Sequence, residues 1–168
     1  IQKKMSFNKK KIRAVVSDFD GTIIKKGSHV PPAEFYKLVH QLVEQGIPFV
    51  AASGRQYANL RKILSPVADR IHYIAENGCL VVWKGEVIYK SIFPRELSHE
   101  LIQDMLTVKD IDIMASGEST CYILPDDPVF VDRICNKVQY DTELITDFFR
   151  IEESYIKISM HFKNEAIS

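Results

Sequence analysis

Two short segments hold residue types at spacings that can do chemistry. The first is Ser17-Asp18-Phe19-Asp20-Gly21-Thr22-Ile23. Alternate residues of an extended strand point the same way, so Asp18 and Asp20 approach a common site where such a strand ends. Two acids held close repel unless a cation such as Mg²⁺ neutralises them or one takes a proton. One carboxylate can act as a nucleophile that forms an aspartyl-phosphate, with the second as acid and base. Gly21 frees the backbone to turn, and Thr22 offers a hydroxyl. Taken alone, the same residues also make an ordinary acidic turn. The second segment is Ala51-Ala52-Ser53-Gly54-Arg55. Its hydroxyl, its backbone N–H groups at the start of a helix and its guanidinium suit an anion such as phosphate. A plain helix cap by Ser53 is the alternative.

These segments need elements to hold them apart from solvent and beside each other. Residues 12–19 form a short apolar run rich in β-branched types, as a buried parallel strand does. Pro31-Pro32 opens a helix whose Phe35, Leu38, Val39, Leu42 and Val43 share one face, and Gly46 closes it. A strand at 47–52, a helix at 56–64 and a strand at 71–75 follow. This β-α-β-α-β order predicts a parallel sheet with right-handed crossovers. Open α/β sheets place ligands at the carboxyl ends of their strands. Both chemical segments lie there, on successive strands.

After residue 78 the pattern changes. Strands at 79–83 and 86–90 flank Lys84-Gly85 and read as a hairpin. A helix at 94–108, strands at 111–115 and 120–124, a helix at 128–139 and a strand at 156–162 complete the reading. Val131, Ile134, Cys135 and Val138 form the inner face of the second helix. The mixture predicts a second α+β unit with an antiparallel sheet. The fold class is α/β, and the boundary falls at Glu76-Asn77-Gly78, giving units of 1–77 and 78–168.

Composition excludes several classes of function. The chain has 168 residues, of which 46% are hydrophobic and 26% charged. That suits one domain or two small ones with a real core. Lys+Arg and Asp+Glu are both 22, so no global field draws the chain to nucleic acid or an anionic membrane. No apolar run approaches the roughly 18 residues of a membrane helix. Cys79, Cys121 and Cys135 form no CxxC pair, which argues against a disulfide framework or zinc ribbon and for a reducing cytoplasm. The five histidines are scattered, without HExxH spacing. The basic cluster Lys9-Lys10-Lys11 precedes an apolar run too short for a signal peptide, and reads as a solvated lead-in. Trp83, Tyr89 and Phe93 read as packing residues, Asp126-Asp127-Pro128 as a turn into a helix, and Glu152-Glu153 as a solvated face.

The segments together resemble a known family. Asp18-Phe19-Asp20-Gly21-Thr22 matches the DxDGT first motif of the haloacid dehalogenase superfamily. Ser53-Gly54-Arg55 matches its second motif in the form found in Cof-type phosphatases. Ile74-Ala75-Glu76-Asn77-Gly78, followed by a hairpin with Gly85 in its turn, resembles that subfamily's passage from core to cap. Ile156-Lys157-Ile158-Ser159 resembles a late cap strand. The resemblance runs from about residue 12 onward. It implies a Rossmann-like core with an inserted α+β cap, and a Mg²⁺-dependent phosphatase of small phosphorylated metabolites, sugar phosphates or phosphorylated cofactors. Asp18 would be the nucleophile and Asp20 the acid and base. Mg²⁺ would sit on the Asp18 carboxylate and the Asp20 carbonyl. Thr22, Ser53, Gly54, Arg55 and Asn77 would meet the phosphate.

Two family motifs are missing, a lysine after the cap and a GDxxxD-like acidic loop. Lys157 and Lys163 lie in cap-like sequence and are not assigned that lysine's role. The expectation is therefore a chain that stops inside the cap and is a weak phosphatase by itself. Its first strand would be an exposed apolar edge prone to self-association. A phosphosugar mutase of the same superfamily, or a non-catalytic protein that binds phosphometabolites or acts in assembly, are the alternatives.

Overall fold

The structure is a computed structural model, and it describes residues 12–25, 28 and 30–163. Strand β1 (Val15–Asp18) leads into α1 (Ala33–Glu44), β2 (Phe49–Ala52), α2 (Tyr57–Ile63) and β3 (His72–Ala75). A 3₁₀ turn at Glu76–Gly78 precedes β4 (Leu80–Trp83) and β5 (Glu86–Lys90). Then come α3 (Arg95–Leu106), β6 (Ile111–Ser116), β7 (Cys121–Ile123) and α4 (Pro128–Asp132). A π-helical stretch at Arg133–Val138 extends α4, and β8 (Thr142–Leu144) and β9 (Lys157–Phe162) follow.

The first sheet runs β1-β2-β3-β4-β5, with β1, β2 and β3 parallel and β4 and β5 antiparallel to their neighbours. The second runs β8-β7-β6-β9. The expected α/β architecture is present, with one difference in its division. The hairpin that sequence reasoning gave to the second unit joins the first sheet instead. Its β4 pairs with β3, with Tyr73 opposite Val82 and Ala75 opposite Leu80. Leu80 and Val82 fill the same core as Phe19, Leu60, Leu64 and Tyr73. Period-two alternation locates a hairpin but does not say which sheet edge it will satisfy. The second sheet is also not purely antiparallel: β7 and β8 run parallel, because the stretch through α4 carries the chain back to the same end.

Packing follows the apolar pattern with local exceptions. Phe35 on α1 meets Phe49 on β2 edge to face, with ring centroids 5.5 Å apart. Leu38, read as inward, is 59% exposed at the margin of the α1 stripe. Trp83 stacks on His72 and Phe93 packs against the second core, whereas Tyr89 is 55% exposed on β5. Asp127 caps α4 as the turn reading requires, accepting from the backbone N–H of Val129 at 2.8 Å. Glu153 is not merely solvated: it accepts from the Tyr122 hydroxyl and the Glu118 N–H, both at 2.7 Å.

The two units share a seam. Tyr155 belongs to the second core, with Ile102, Tyr122 and Phe148, while its neighbour Ile156 belongs to the first. Strand β1 forms one edge of the first sheet, and Val16 on it is 58% exposed. Among the described residues no helix is long and apolar enough to cross a membrane.

Candidate active site

The alternation of β1 explains how two acids can stand at its end. Phe19 is fully buried, so the pleat turns Asp18 and Asp20 outward on either side of it. The chain then folds back on itself. The N–H groups of Ile23 and Ile24 both donate to the Phe19 carbonyl, at 3.0 and 2.9 Å. Gly21 takes φ +83°, a conformation most side chains resist. The turn brings the Thr22 hydroxyl to 2.9 Å from Asp18 Oδ2, to which it donates.

The second loop lies beside the first because Asp18 is in register with Ala52 on β2. Ser53 Oγ donates to Asp20 Oδ2 at 3.3 Å and accepts from the Arg55 N–H at 3.1 Å. Arg55 grips Asp20 with two nitrogens, Nε at 2.9 Å from Oδ2 and Nη2 at 2.7 Å from Oδ1. Hydrogen bonding and charge from Arg55, with help from Ser53, hold the Asp20 carboxyl below its ordinary range despite partial burial.

The third loop is strapped over the second. The Glu76 N–H donates to the Arg55 carbonyl at 3.0 Å, and the Asn77 N–H to the Ser53 carbonyl at 3.2 Å. Glu76 and Asn77 both adopt positive φ, +51° and +57°. The Asn77 side chain lies so close to Gly54 that a Cβ there would stand 2.3 Å from Asn77 Oδ1. Glycine is therefore required at 54 for this approach. The structure thus forms three small groupings: Asp18 with Thr22, Asp20 with Ser53 and Arg55, and Gly54 with Asn77.

Four further residues belong to the site and were not found from sequence. Asn59, buried on α2, accepts from Arg55 Nη1 at 3.1 Å and donates to the carbonyls of Val138 and Gln139 at 2.8 and 3.2 Å. Gln56, also buried, donates to the Ser119 and Asp141 carbonyls and accepts from the Asp141 N–H. Gln56 precedes the first residue of α2 and Asn59 lies in its first turn, where polar residues are ordinary, so nothing in the sequence marked them. Glu76 is 1% exposed and ion-paired with Lys157 on β9, whose ammonium also donates to the Gly54 carbonyl at 2.9 Å. Burial pushes the Glu76 carboxyl upward, and Lys157 offsets this only in part. No sequence signal joins those two, which lie far apart in the chain. Beside Arg55 opens a cavity of about 820 Å³, walled by Phe130, Arg133, Lys137 and His161.

Residues 15–168 match the family model of the haloacid dehalogenase-like hydrolases. The chain belongs to that family. Among curated relatives it is similar to the 5-amino-6-(5-phospho-D-ribitylamino)uracil phosphatase of Escherichia coli. The two are 26% identical over 156 residues, 93% of this chain and 58% of that protein. The chain therefore spans little more than half the length of this relative. Among solved structures, a Streptococcus mutans protein superposes with a TM-score of 0.78 at 22% identity, over 89% of this chain and 57% of that one. A subclass IIB sugar phosphatase of the superfamily gives 0.72 at 23% identity, over 88% and 58%. At such identities these two neighbours speak to the fold.

For a haloacid dehalogenase-like hydrolase, the donors at the end of β1 suit Mg²⁺. This ion takes hard oxygens, commonly one or two carboxylates with waters and substrate phosphate oxygens. Asp18 is exposed and engages Thr22 through Oδ2, whereas Arg55 occupies both oxygens of Asp20. The Asp18 carboxylate is the side chain there that could take such an ion. Among the described residues no cluster of three or more acid, histidine or cysteine side chains forms.

Proposed function

We propose that this protein is a phosphomonoesterase of small phosphorylated metabolites, sugar phosphates or phosphorylated cofactors, working through an aspartyl-phosphate. The observation that carries this is the placing of Asp18 and Asp20 beside Ser53-Gly54-Arg55 at the carboxyl ends of two paired parallel strands. An Asp18 oxygen attacks phosphorus while the bond to the leaving oxygen breaks. Asp20 gives that oxygen its proton. Water then attacks the phosphorus, returning a proton to Asp20, and the bond to Asp18 breaks with release of phosphate. Thr22, Ser53, the Gly54 N–H, Arg55 and Asn77 hold the phosphoryl oxygens. Mg²⁺, held by Asp18 and the Asp20 carbonyl, supplies neutralising charge.

The acid role sets a condition on Arg55. A carboxylate gripped through both oxygens is a poor proton carrier, so the guanidinium releases at least one of them as it turns to the incoming phosphate. We assign residues after β5 to the cap and the hairpin to the core. The three cysteines are free thiols, which suits a reducing cytoplasm.

The test is phosphate release from a panel of sugar phosphates and phosphorylated cofactors with Mg²⁺. Asp18→Asn removes turnover but keeps ligand binding, and Asp20→Asn lowers kcat by about 10²–10⁴. Hydrolysis at the wild-type rate by Asp18→Asn overturns the proposal. The closed Asp20–Arg55 pair favours one second reading, a protein that binds phosphometabolites without turnover. Binding by the wild-type chain with no phosphate release from any substrate selects that reading.

A further inference from the structure

The cavity beside Arg55 is lined by four cations, and three are matched by acids. Arg55 pairs with Asp20, Lys137 lies 3.2 Å from Asp132, and Lys163 lies 3.3 Å from Asp112 and 3.6 Å from Asp127. The fourth, Arg133, has no acid partner among the described residues. Its Nη1 lies instead against the His161 ring, 2.9 Å from Nε2 and 3.3 Å from Nδ1. A guanidinium keeps its proton in proteins, so the imidazole is the acceptor and leaves the charge uncancelled. The His161 ring is itself fixed, stacked on Phe130 with centroids 5.4 Å apart and planes 16° from parallel. Arg133 also begins the π-helical stretch. Such wide turns are uncommon, are less regular than α-helix, and concentrate at functional sites. An oriented, uncompensated arginine thus stands in a cleft of ligand size between the two units, and that cleft leads to the arginine of the phosphate loop.

On the phosphomonoesterase reading the leaving group lies in this cleft, and we infer that Arg133, oriented by His161, binds a second anionic group on it, a carboxylate or a second phosphate. The inference rests on the phosphomonoesterase reading for the place of the first phosphate. Asp112 and Asp127 line the same cleft but face Lys163, so Arg133 has no acid of its own, and its planar fork of donors matches either anion.

Calorimetric binding in Mg²⁺ tests it, using the full chain carrying Asp18→Asn so that nothing is hydrolysed. Two matched pairs serve as probes: 3-phosphoglycerate against glycerol 3-phosphate for a carboxylate, and fructose 1,6-bisphosphate against fructose 6-phosphate for a phosphate. In at least one pair the ligand with the second anion binds about tenfold more tightly. Adding Arg133→Gln removes that gap and leaves the affinity of the singly anionic partner unchanged, while His161→Ala narrows it. Arg133 is exposed, so its replacement spares the fold. Equal affinity within both pairs, a gap that survives Arg133→Gln, or no binding of any probe overturns the inference. Hydrolysis by the wild-type chain without a gap removes the subsite alone. A gap without hydrolysis removes the phosphatase reading alone.

Discussion

Both oxygens of Asp20 are held by one guanidinium, and this fixes how the residue titrates. Arg55→Ala frees the carboxyl, so its pKa, followed by carboxyl-selective NMR, moves up from its lowered folded value. The sign for stability follows. A lowered folded pKa stabilises above the ordinary carboxyl range and is lost as pH falls through it, so Arg55→Ala flattens the acid side of the stability curve. Gly54→Ala acts through position. The new methyl displaces the flexible Asn77 amide, so the melting temperature changes little while KM for phosphomonoesters rises on the order of tenfold or more. A change smaller than twofold in KM sinks that role for Asn77. Asp18, Asp20, Ser53 and Arg55 were legible as candidates because the two segments fall at the ends of successive strands and match family motifs together, although each alone also reads as a turn or a helix cap. Asn59 and Gln56 were not, because they look like ordinary polar residues at the start of a helix until their carbonyl partners, some 60 to 85 residues away, are known.

The elements are tied together by buried polar contacts whose removal is costly. Lys157→Met leaves the Glu76 carboxylate buried without its cation, and urea denaturation reads a loss of about 3–5 kcal/mol. Burial raises the Glu76 carboxyl above the pH at which a free glutamate titrates. Its contribution to stability is therefore fullest below about that pH and declines as pH rises through the folded value. Glu76→Gln removes that decline from the stability–pH profile. Gly117→Ala forces a methyl to within 2.1 Å of the Glu153 carboxylate, and so costs about 1–3 kcal/mol by breaking its bonds to Tyr122 and Glu118. Most elements were readable from apolar period, but three features were not. Strand β8 is three residues long with mostly exposed side chains, too little pattern to register. The π-helical stretch keeps the apolar spacing of an α-helix, and the sheet edge chosen by the hairpin is set by what β3 leaves unpaired.

At the scale of the molecule, the edge strand β1 presents Val16 to solvent beside the candidate nucleophile. An apolar edge pairs readily with another chain. The 168-residue chain is expected to self-associate in light scattering, and Val16→Lys to shift it toward the monomer. A monodisperse monomer without that substitution refutes the expectation. The seam at Tyr155-Ile156-Lys157 bears on the order in which the protein can be made. Glu76 and Lys157 are 81 residues apart, so at the usual pace of synthesis a ribosome needs roughly 4–16 s to pass from one to the other. Through that interval the nascent first core lacks Ile156, its buried acid lacks a cation, and the Ser53-Gly54-Arg55 loop lacks the ammonium that holds the Gly54 carbonyl. The part of the chain that carries the candidate site is thus translated before the residues that complete its packing.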